Sequence, residues 1–443
     1  MTQPVRHPVN GARPLRLEPF RALRYNPDRV PDLSAVTCPP YDVIGTDRVG
    51  SFEAADPHNI VRLILPRAGD GEDRYAHAAQ DLQRWVADRI LIRDAEPALY
   101  VYELTDGANV AVGLVGGISL HDPAERRILP HEDVFPGPVA DRTALMSATA
   151  AQFEPILLTY AGDGPASDVV DETLDTPPLL YVDTVDGASH RIWRISAPAA
   201  LSRIGDDLAD RQALIADGHH RYAAYLALRD AASTRRDVVS PGQLDAADGG
   251  ESPPSEATGL AMLVDAHRHP LRLGAIHRSV SSLPWDEALK AARRGFGSVH
   301  VLEGPEAVDQ QATALTQDSS EPRLAITDGQ QIALLADADR KYLQESMPAD
   351  RSSRWQQLAA SIAHEFVLAT LWGVSDADQR VTYHHQAADA VTRARRTGGT
   401  AILLGPARLA DVLALAERDE RMPRKSTSFG PKPRTGILMR LLS

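Results

Sequence analysis

Leu214-Ile215-Ala216-Asp217-Gly218-His219-His220-Arg221-Tyr222-Ala223-Ala224-Tyr225-Leu226-Ala227-Leu228 is the stretch around which the chain is organised. Leu214, Ile215 and Ala216 form an apolar run too short for a helix, so they read as a buried strand. Asp217-Gly218 is a turn dipeptide, because glycine takes positive φ at no steric cost. From His219 onward the spacing is helical. Tyr222, Tyr225 and Leu226 share a face, and Ala223, Ala224 and Ala227 favour helix.

The helix therefore starts at two histidines and an arginine. Its first N–H groups have no partner within the helix, and with the helix dipole they favour an anion. Arg221 can add a bidentate grip on phosphate oxygens, and the imidazoles of His219 and His220 can donate further hydrogen bonds. A carboxylate at Asp217 repels an anion unless it caps the helix or holds a cation such as Mg²⁺. Two readings stay open on the residues alone. One is a phosphate site. The other is a core helix capped by Asp217, with the histidines packed at its surface.

The string Ile215 to Tyr222 resembles the strand–turn–helix signature of the ParB/sulfiredoxin-like superfamily, which includes nucleotide-hydrolysing partition proteins, sulfiredoxin and kinases of free serine. The sulfiredoxin reaction needs a cysteine in this turn, where the present chain has histidine. The whole chain also resembles a conserved prokaryotic family of unknown function. The matching pieces are Phe20 to Tyr25, Cys38-Pro39-Pro40-Tyr41-Asp42-Val43-Ile44, Pro57-His58-Asn59-Ile60, His131-Glu132, Asp141-Arg142, the central motif, and Met422-Pro423-Arg424-Lys425-Ser426-Thr427. The resemblance implies phosphate chemistry with ATP and Mg²⁺, namely ATP-dependent phosphorylation of a small molecule, with free L-serine as acceptor.

Composition narrows the classes. The chain has 443 residues, 43% hydrophobic and 24% charged, as in ordinary globular proteins, and a net charge of −13. That balance opposes nonspecific nucleic-acid binding, which needs a basic surface. Cys38 is the sole cysteine, which excludes an intrachain disulfide. A run of about 18 apolar residues, the minimum for a membrane span, does not occur. Met1 to Pro14 lacks the apolar core of a signal peptide, so a cytoplasmic protein with a flexible tail is expected. The expected partners are a small-molecule substrate but no nucleic acid and no membrane; a homodimer stays open. Neither the dinucleotide fingerprint nor a Walker-type string is present, so other groups must cradle any nucleotide.

The rest of the chain reads as mixed α/β, with mixed sheets and flanking helices in two lobes around the central strand–helix unit. The expected divisions are a tail over 1–14, an α/β lobe over 15–160, a nucleotide-binding region over 161–295 and an α/β lobe over 296–443. Asn59 to Pro66 alternates like a strand. Asp73 to Ile90 has helical spacing, and Asp106-Gly107 predicts a hairpin between strands over 98–103 and 111–120. Residues 161–175 are acidic and read as loop. Residues 231–257 are rich in Ser, Pro, Gly and Asp and predict a mobile loop.

Within this frame the candidate residues take named roles. His219, His220, Gly218, Arg221 and Arg142 are assigned to phosphate, with Asp217 and His220 also catalytic. Glu132 is the expected general base, since a carboxylate near a bound hydroxyl can take its proton. Asp217 and Glu132 are the candidate Mg²⁺ ligands. Tyr41, Asp42, Asn59 and His131 are the candidate substrate contacts. Bland readings compete: a rigid Pro-Pro-Tyr-Asp turn, and a salt-bridge cluster around His131-Glu132. A nucleotide-binding switch without turnover, or a scaffold, are the alternatives to a kinase.

Overall fold

In a computed structural model the described residues are 13–69, 71–239, 255–315, 323–375 and 378–442. The chain divides into two compact units. One is built from residues 1–271 with 431–443, the other from 272–430. These boundaries differ from the sequence expectation of breaks near 160 and 295, because the final segment of the chain returns to the first unit.

The first unit is organised by a nine-stranded mixed sheet among the described residues. Its strands are β1 (Leu17–Glu18), β2 (Leu99–Asp106), β3 (Asn109–Ser119), β4 (Ile128–Leu129), β5 (Ile156–Tyr160), β6 (Leu180–Asp183), β7 (Ala188–Ile195), β8 (Ala213–Asp217) and β9 (Thr258–Asp265). The order across the sheet is β4-β8-β5-β9-β3-β2-β7-β6, with β1 added on β3. β8 runs parallel to β4, and β9 parallel to β5; the other pairs are antiparallel. The expected hairpin is present. Asp106 pairs with Asn109 across a two-residue turn in which Gly107 has φ +58°.

The longer helices of this unit are α1 (Arg74–Ala87), α2 (Pro136–Thr149), α3 (Pro165–Leu174), α4 (Pro198–Leu208) and α5 (His219–Val239). Asp73 caps α1, its side chain accepting from the N–H of Tyr75 at 2.9 Å. α2 packs along α5. The sheet core gathers Leu99, Val101, Leu114, Ile156, Leu158 and Ile215, with Tyr222 and Tyr225 of α5 packed onto it. A second core joins Tyr25, Cys38, Ile60, Leu63, Trp85, Phe153 and Met439.

Three local expectations are corrected. Residues 59–66 are not a strand but a single helical turn, Val61–Ile64. Ile60, Val61, Leu63 and Ile64 are all buried, so the apolar run reports burial around the whole turn rather than alternation across a sheet. Residues 161–175 are not all loop. Pro165 opens α3, and Ala166, Val169 and Val170 give it a buried face despite its acidic composition. Of the loop expected over 231–257, residues 231–239 continue α5; 240–254 lie outside the described residues, as do residues 1–12 of the expected tail.

The second unit holds a six-stranded antiparallel sheet among the described residues. Its strands are β10 (His277–Val280), β11 (Phe296–Glu303), β12 (Leu324–Thr327), β13 (Gln331–Ala338), β14 (Val381–His384) and β15 (Thr400–Leu404), in the order β11-β13-β12-β15-β10-β14. It carries helices α6 (Trp285–Gly295), α7 (Pro305–Leu315), α8 (Ala387–Thr397) and α9 (Leu409–Ala416). A π-helical segment spans Ile362–Leu371. The mixed α/β architecture with a large mixed sheet and flanking helices agrees with the sequence reading.

Candidate functional site

The strand–turn–helix unit forms where the sequence placed it. β8 ends at Asp217, Gly218 turns the chain at φ +95°, and α5 begins at His219. A side chain at Gly218 would bring its Cβ within 2.7 Å of Ile156 Cγ2 and 3.2 Å of Arg221 Cζ. Glycine is therefore needed here both for its backbone angle and for the close approach of β5.

Asp217 does not cap the helix. One oxygen pairs with Lys432 Nζ, and Oδ2 accepts from Arg221 Nη2 at 2.7 Å. Burial pushes this carboxyl upward, but the charges of Lys432 and Arg221 outweigh it and hold the group below its ordinary value. Lys432 Nζ also lies 3.9 Å from Asp42 Oδ2. Burial alone would lower the ammonium, yet Asp217 and Asp42 hold it well above the usual lysine range, so it stays charged.

Arg221 was expected to grip phosphate. The structure corrects this. The residue is 3% exposed; Nη1 donates to the carbonyl of Pro155 at 2.9 Å and lies 3.6 Å from Glu154 Oε1, while Nη2 is taken by Asp217. Its Nε is buried without a hydrogen-bond partner. Arg221 is thus the internal counterion of Asp217 and Glu154. Arg142 is corrected for the same reason. Its Nε and Nη2 donate to Asp141 Oδ2 at 2.9 and 2.5 Å, and Nη1 donates to the carbonyl of Ile64 at 2.8 Å.

What Arg142 does is hold Tyr41. Its guanidinium lies 4.4 Å from the Tyr41 ring centroid, and Arg221 lies 6.0 Å from the same ring. The Tyr41 N–H donates to Glu154 Oε2 at 3.3 Å. Burial pushes the Tyr41 phenol up to about 12, with the two arginines opposing. Pro40 opens a short 3₁₀ turn over Tyr41–Val43 that leaves Asp42 exposed. Asp42 therefore sits beside Lys432, and Tyr41 beside Arg142, Arg221 and Glu154.

Two other candidate substrate contacts prove structural. Asn59 is fully buried; its Nδ2 donates to the carbonyl of Ala35 at 2.7 Å, and its Oδ1 accepts from Val61 N–H at 3.0 Å. Both ends of the amide serve the backbone, which removes it from substrate contact. His131 is also buried. Its Nδ1 lies 2.7 Å from the carbonyl of Ile215, and its ring meets that of His219 edge-on at 4.6 Å.

These contacts fasten the loop before α2 across the start of α5. His131 N–H reaches His219 Nε2 at 3.3 Å, and Phe135 N–H reaches His220 Nε2 at 3.1 Å, with the Phe135 and His220 rings stacked. Glu132 is half-buried within that loop. The structure so brings His131, Glu132, His219 and His220 together at one edge of the corner, and Tyr41, Asp42, Asp217 and Lys432 at the other.

Sequence reasoning missed Lys432 and Glu154. Glu154 is buried, accepting from Thr435 Oγ1 at 2.7 Å as well as from Tyr41. The sole signal for Lys432 was its place between Pro431 and Pro433, which fixes an extended backbone.

A metal fits this corner poorly. Both Asp217 oxygens are taken by cations, and among the described residues no group of three or more His, Cys, Asp or Glu is placed to hold a metal ion. The expected Mg²⁺ role of Asp217 is corrected accordingly. Among the described residues no helix is long and apolar enough to cross a membrane.

Comparison with known proteins gives the following. Solved structures that resemble the chain include SbnI with a C-terminal truncation from Staphylococcus aureus, at 12% identity, TM-score 0.33, covering 71% of this chain and 82% of that one. A free serine kinase in complex with AMP matches at 12% identity and TM-score 0.31, covering 69% of this chain and 87% of that one. A conserved hypothetical protein from Pyrococcus furiosus matches at 12% identity and TM-score 0.30, covering 71% and 92%. No curated protein matches. The family profile described as "Protein of unknown function (DUF1015)" matches residues 17–361, and the chain belongs to that family.

Proposed function

We propose that the protein is a small-molecule kinase. It takes a nucleoside triphosphate such as ATP at the corner where β8 passes into α5 and transfers the terminal phosphoryl group to a small hydroxyl compound. Free L-serine is the acceptor suggested by the resemblance of the central motif to kinases of free serine. The observation that carries this reading is Lys432: a charged ammonium held between Asp217 and Asp42 at the N-terminus of a long helix. Burying charge is costly and contributes little to stability. A buried charge network at a helix N-terminus is therefore a mark of function.

Phosphoryl transfer needs positioning and charge neutralisation more than covalent help from the protein. Lys432 supplies positive charge next to the α5 terminus, replacing the role first given to Arg221. Arg221 and Glu154 hold Asp217 in place. The Glu132 carboxylate takes the proton of the acceptor hydroxyl. The new oxygen–phosphorus bond forms as the bond from the terminal phosphorus to its bridging oxygen breaks, and the nucleoside diphosphate leaves. Tyr41, clamped by Arg142, supplies a rigid ring beside Asp42 for the acceptor. Because Asp217 is already occupied, no step is assigned to Mg²⁺.

The test is incubation with ATP, Mg²⁺ and a panel of hydroxyl compounds including L-serine, with ADP release as readout. ADP that forms with one acceptor and ceases in Glu132→Gln supports the kinase. Nucleotide binding with no acceptor-dependent ADP identifies a switch instead, and no nucleotide binding at all overturns the reading.

A further inference from the structure

Pro431-Lys432-Pro433-Arg434-Thr435 carries the ammonium of the corner. Proline on both sides of Lys432 takes two N–H donors out of this segment, so no regular ladder can hold it. A lysine side chain is also a flexible stem with a point charge at its tip. The place of the ammonium between Asp217 and Asp42 therefore depends on where the segment is anchored.

The anchor is Arg434, which is 4% exposed. Nε donates to Thr37 Oγ1 at 2.8 Å, Nη2 to the Thr37 carbonyl at 3.2 Å and Nη1 to Asp186 Oδ2 at 2.7 Å. The Arg434 N–H donates to the Tyr102 hydroxyl at 3.0 Å. Asp186, in the turn between β6 and β7, accepts from the Thr184 hydroxyl with its other oxygen. Burying a charged side chain is costly, and well-packed apolar residues often hold two segments together as well. What a guanidinium fork adds is direction, since its donors are fixed in one plane.

That direction matters because Thr37 lies on the segment that leads to Tyr41 and Asp42. The two segments meet at an antiparallel bridge: Thr435 N–H donates to the Cys38 carbonyl at 3.0 Å, and Cys38 N–H to the Thr435 carbonyl at 3.4 Å. Counted outward from this bridge in opposite directions, the same step reaches Tyr41 on one segment and Lys432 on the other. Glu154 Oε2 ties the segments again, accepting from Thr435 Oγ1 at 2.7 Å and from Tyr41 N–H at 3.3 Å.

We infer that Arg434 is a positioning residue for Lys432: it pins Pro431 to Thr435 against Thr37 and Asp186 in the register that stands the ammonium between Asp217 and Asp42. The inference rests on the phosphoryl-transfer reading for its effect on turnover, and not for its effect on the ammonium.

Two measurements on the full chain test it. The first is a double-mutant cycle on kcat for acceptor-dependent ADP release, with Arg434→Gln, Lys432→Met and the pair. Arg434→Gln should lower kcat about tenfold or more, as the misplacement of one positioned group does. In the Lys432→Met background the same change should alter kcat by less than about twofold, because the two residues act as one unit. A residue needed only for folding would lower both backgrounds alike. The second is trace acetylation with acetic anhydride, read by peptide mass spectrometry, with the exposed Lys341 as internal reference. Relative to Lys341, Lys432 should react several-fold faster in Arg434→Gln than in wild type. Thr37→Val removes only the hydroxyl that Nε meets, serves if Arg434→Gln fails to fold, and should shift both readouts the same way. Equal kcat losses in both backgrounds, wild-type kcat in Arg434→Gln, or unchanged Lys432 acetylation in both variants would overturn the proposal. If the wild type releases no acceptor-dependent ADP, the phosphoryl-transfer reading falls, and acetylation alone decides whether Arg434 positions Lys432.

Discussion

Lys432 and Asp217, 215 residues apart in sequence, form an ion pair at the turn from β8 into α5. Arg221 holds the other oxygen of the same carboxylate. If this ammonium meets the transferred phosphoryl group, Lys432→Met should lower turnover by about 10²-fold or more, the scale seen when one charge-stabilising donor is lost. Lys432→Arg should restore part of it. Steady-state ADP release, with circular dichroism to verify folding, is the measurement. Wild-type turnover in Lys432→Met would remove Lys432 from the site.

Arg221 should matter for folding more than for ligand affinity. Replacing it with alanine leaves Asp217 and Glu154 short of a buried counterion, a loss of about 3–5 kcal/mol. A large fall in the urea midpoint is expected for Arg221→Ala, with a smaller fall for Arg221→Lys. In whatever fraction of Arg221→Lys stays folded, nucleotide affinity should be within a few-fold of wild type. A stable Arg221→Ala protein that has lost nucleotide binding would restore the direct phosphate role.

Glu132→Gln should reduce turnover while keeping nucleotide affinity and stability. The side chain is half-buried, and glutamine keeps its size and shape. Single-turnover kinetics separates the steps. An unaltered phosphoryl-transfer rate would exclude Glu132 as the base.

Gly218→Ala should destabilise the protein by more than about 1 kcal/mol, because alanine is unsuited to positive φ. Crowding against Ile156 adds to this. Thermal melting tests it. An unchanged melting point would mean that the turn relaxes freely.

His190 predicts an acid-side loss of stability. Its Nδ1 pairs with the Tyr102 hydroxyl at 2.9 Å, and burial together with the nearby Arg434 charge lowers it to about 4. In the unfolded chain histidine titrates near 6.5, so between roughly 6.5 and 4 the unfolded state binds the extra proton. The stabilising contribution is complete above about 6.5 and is lost toward 4, at up to about 1.4 kcal/mol per pH unit. His190→Asn should flatten the urea midpoint over this interval. An identical pH slope in the variant would count against the assignment.

Local signals carried much of the fold. The β2–β3 hairpin, the capped α1 and the β8–α5 unit are each specified by residues within a few positions of one another. The same holds for the central motif. What local pattern could not supply was the partner set. Glu154 and Lys432 reach Arg221 and Asp217 from other parts of the chain, so no periodicity connects them. Asn59 shows the opposite failure. A polar residue in a motif resembled a substrate contact, but its amide serves only the backbone of a buried turn.

The return of residues 431–443 to the first unit has a consequence for biosynthesis. Arg440 donates to Gln152 and Thr258, and Arg434 to Thr37 and Asp186. The ribosome must deliver the entire second unit before these contacts can close. The nascent first unit therefore waits, incomplete and without its ammonium, until residues 431–443 have been made, and a premature stop after Gly430 would release a chain unable to assemble the corner.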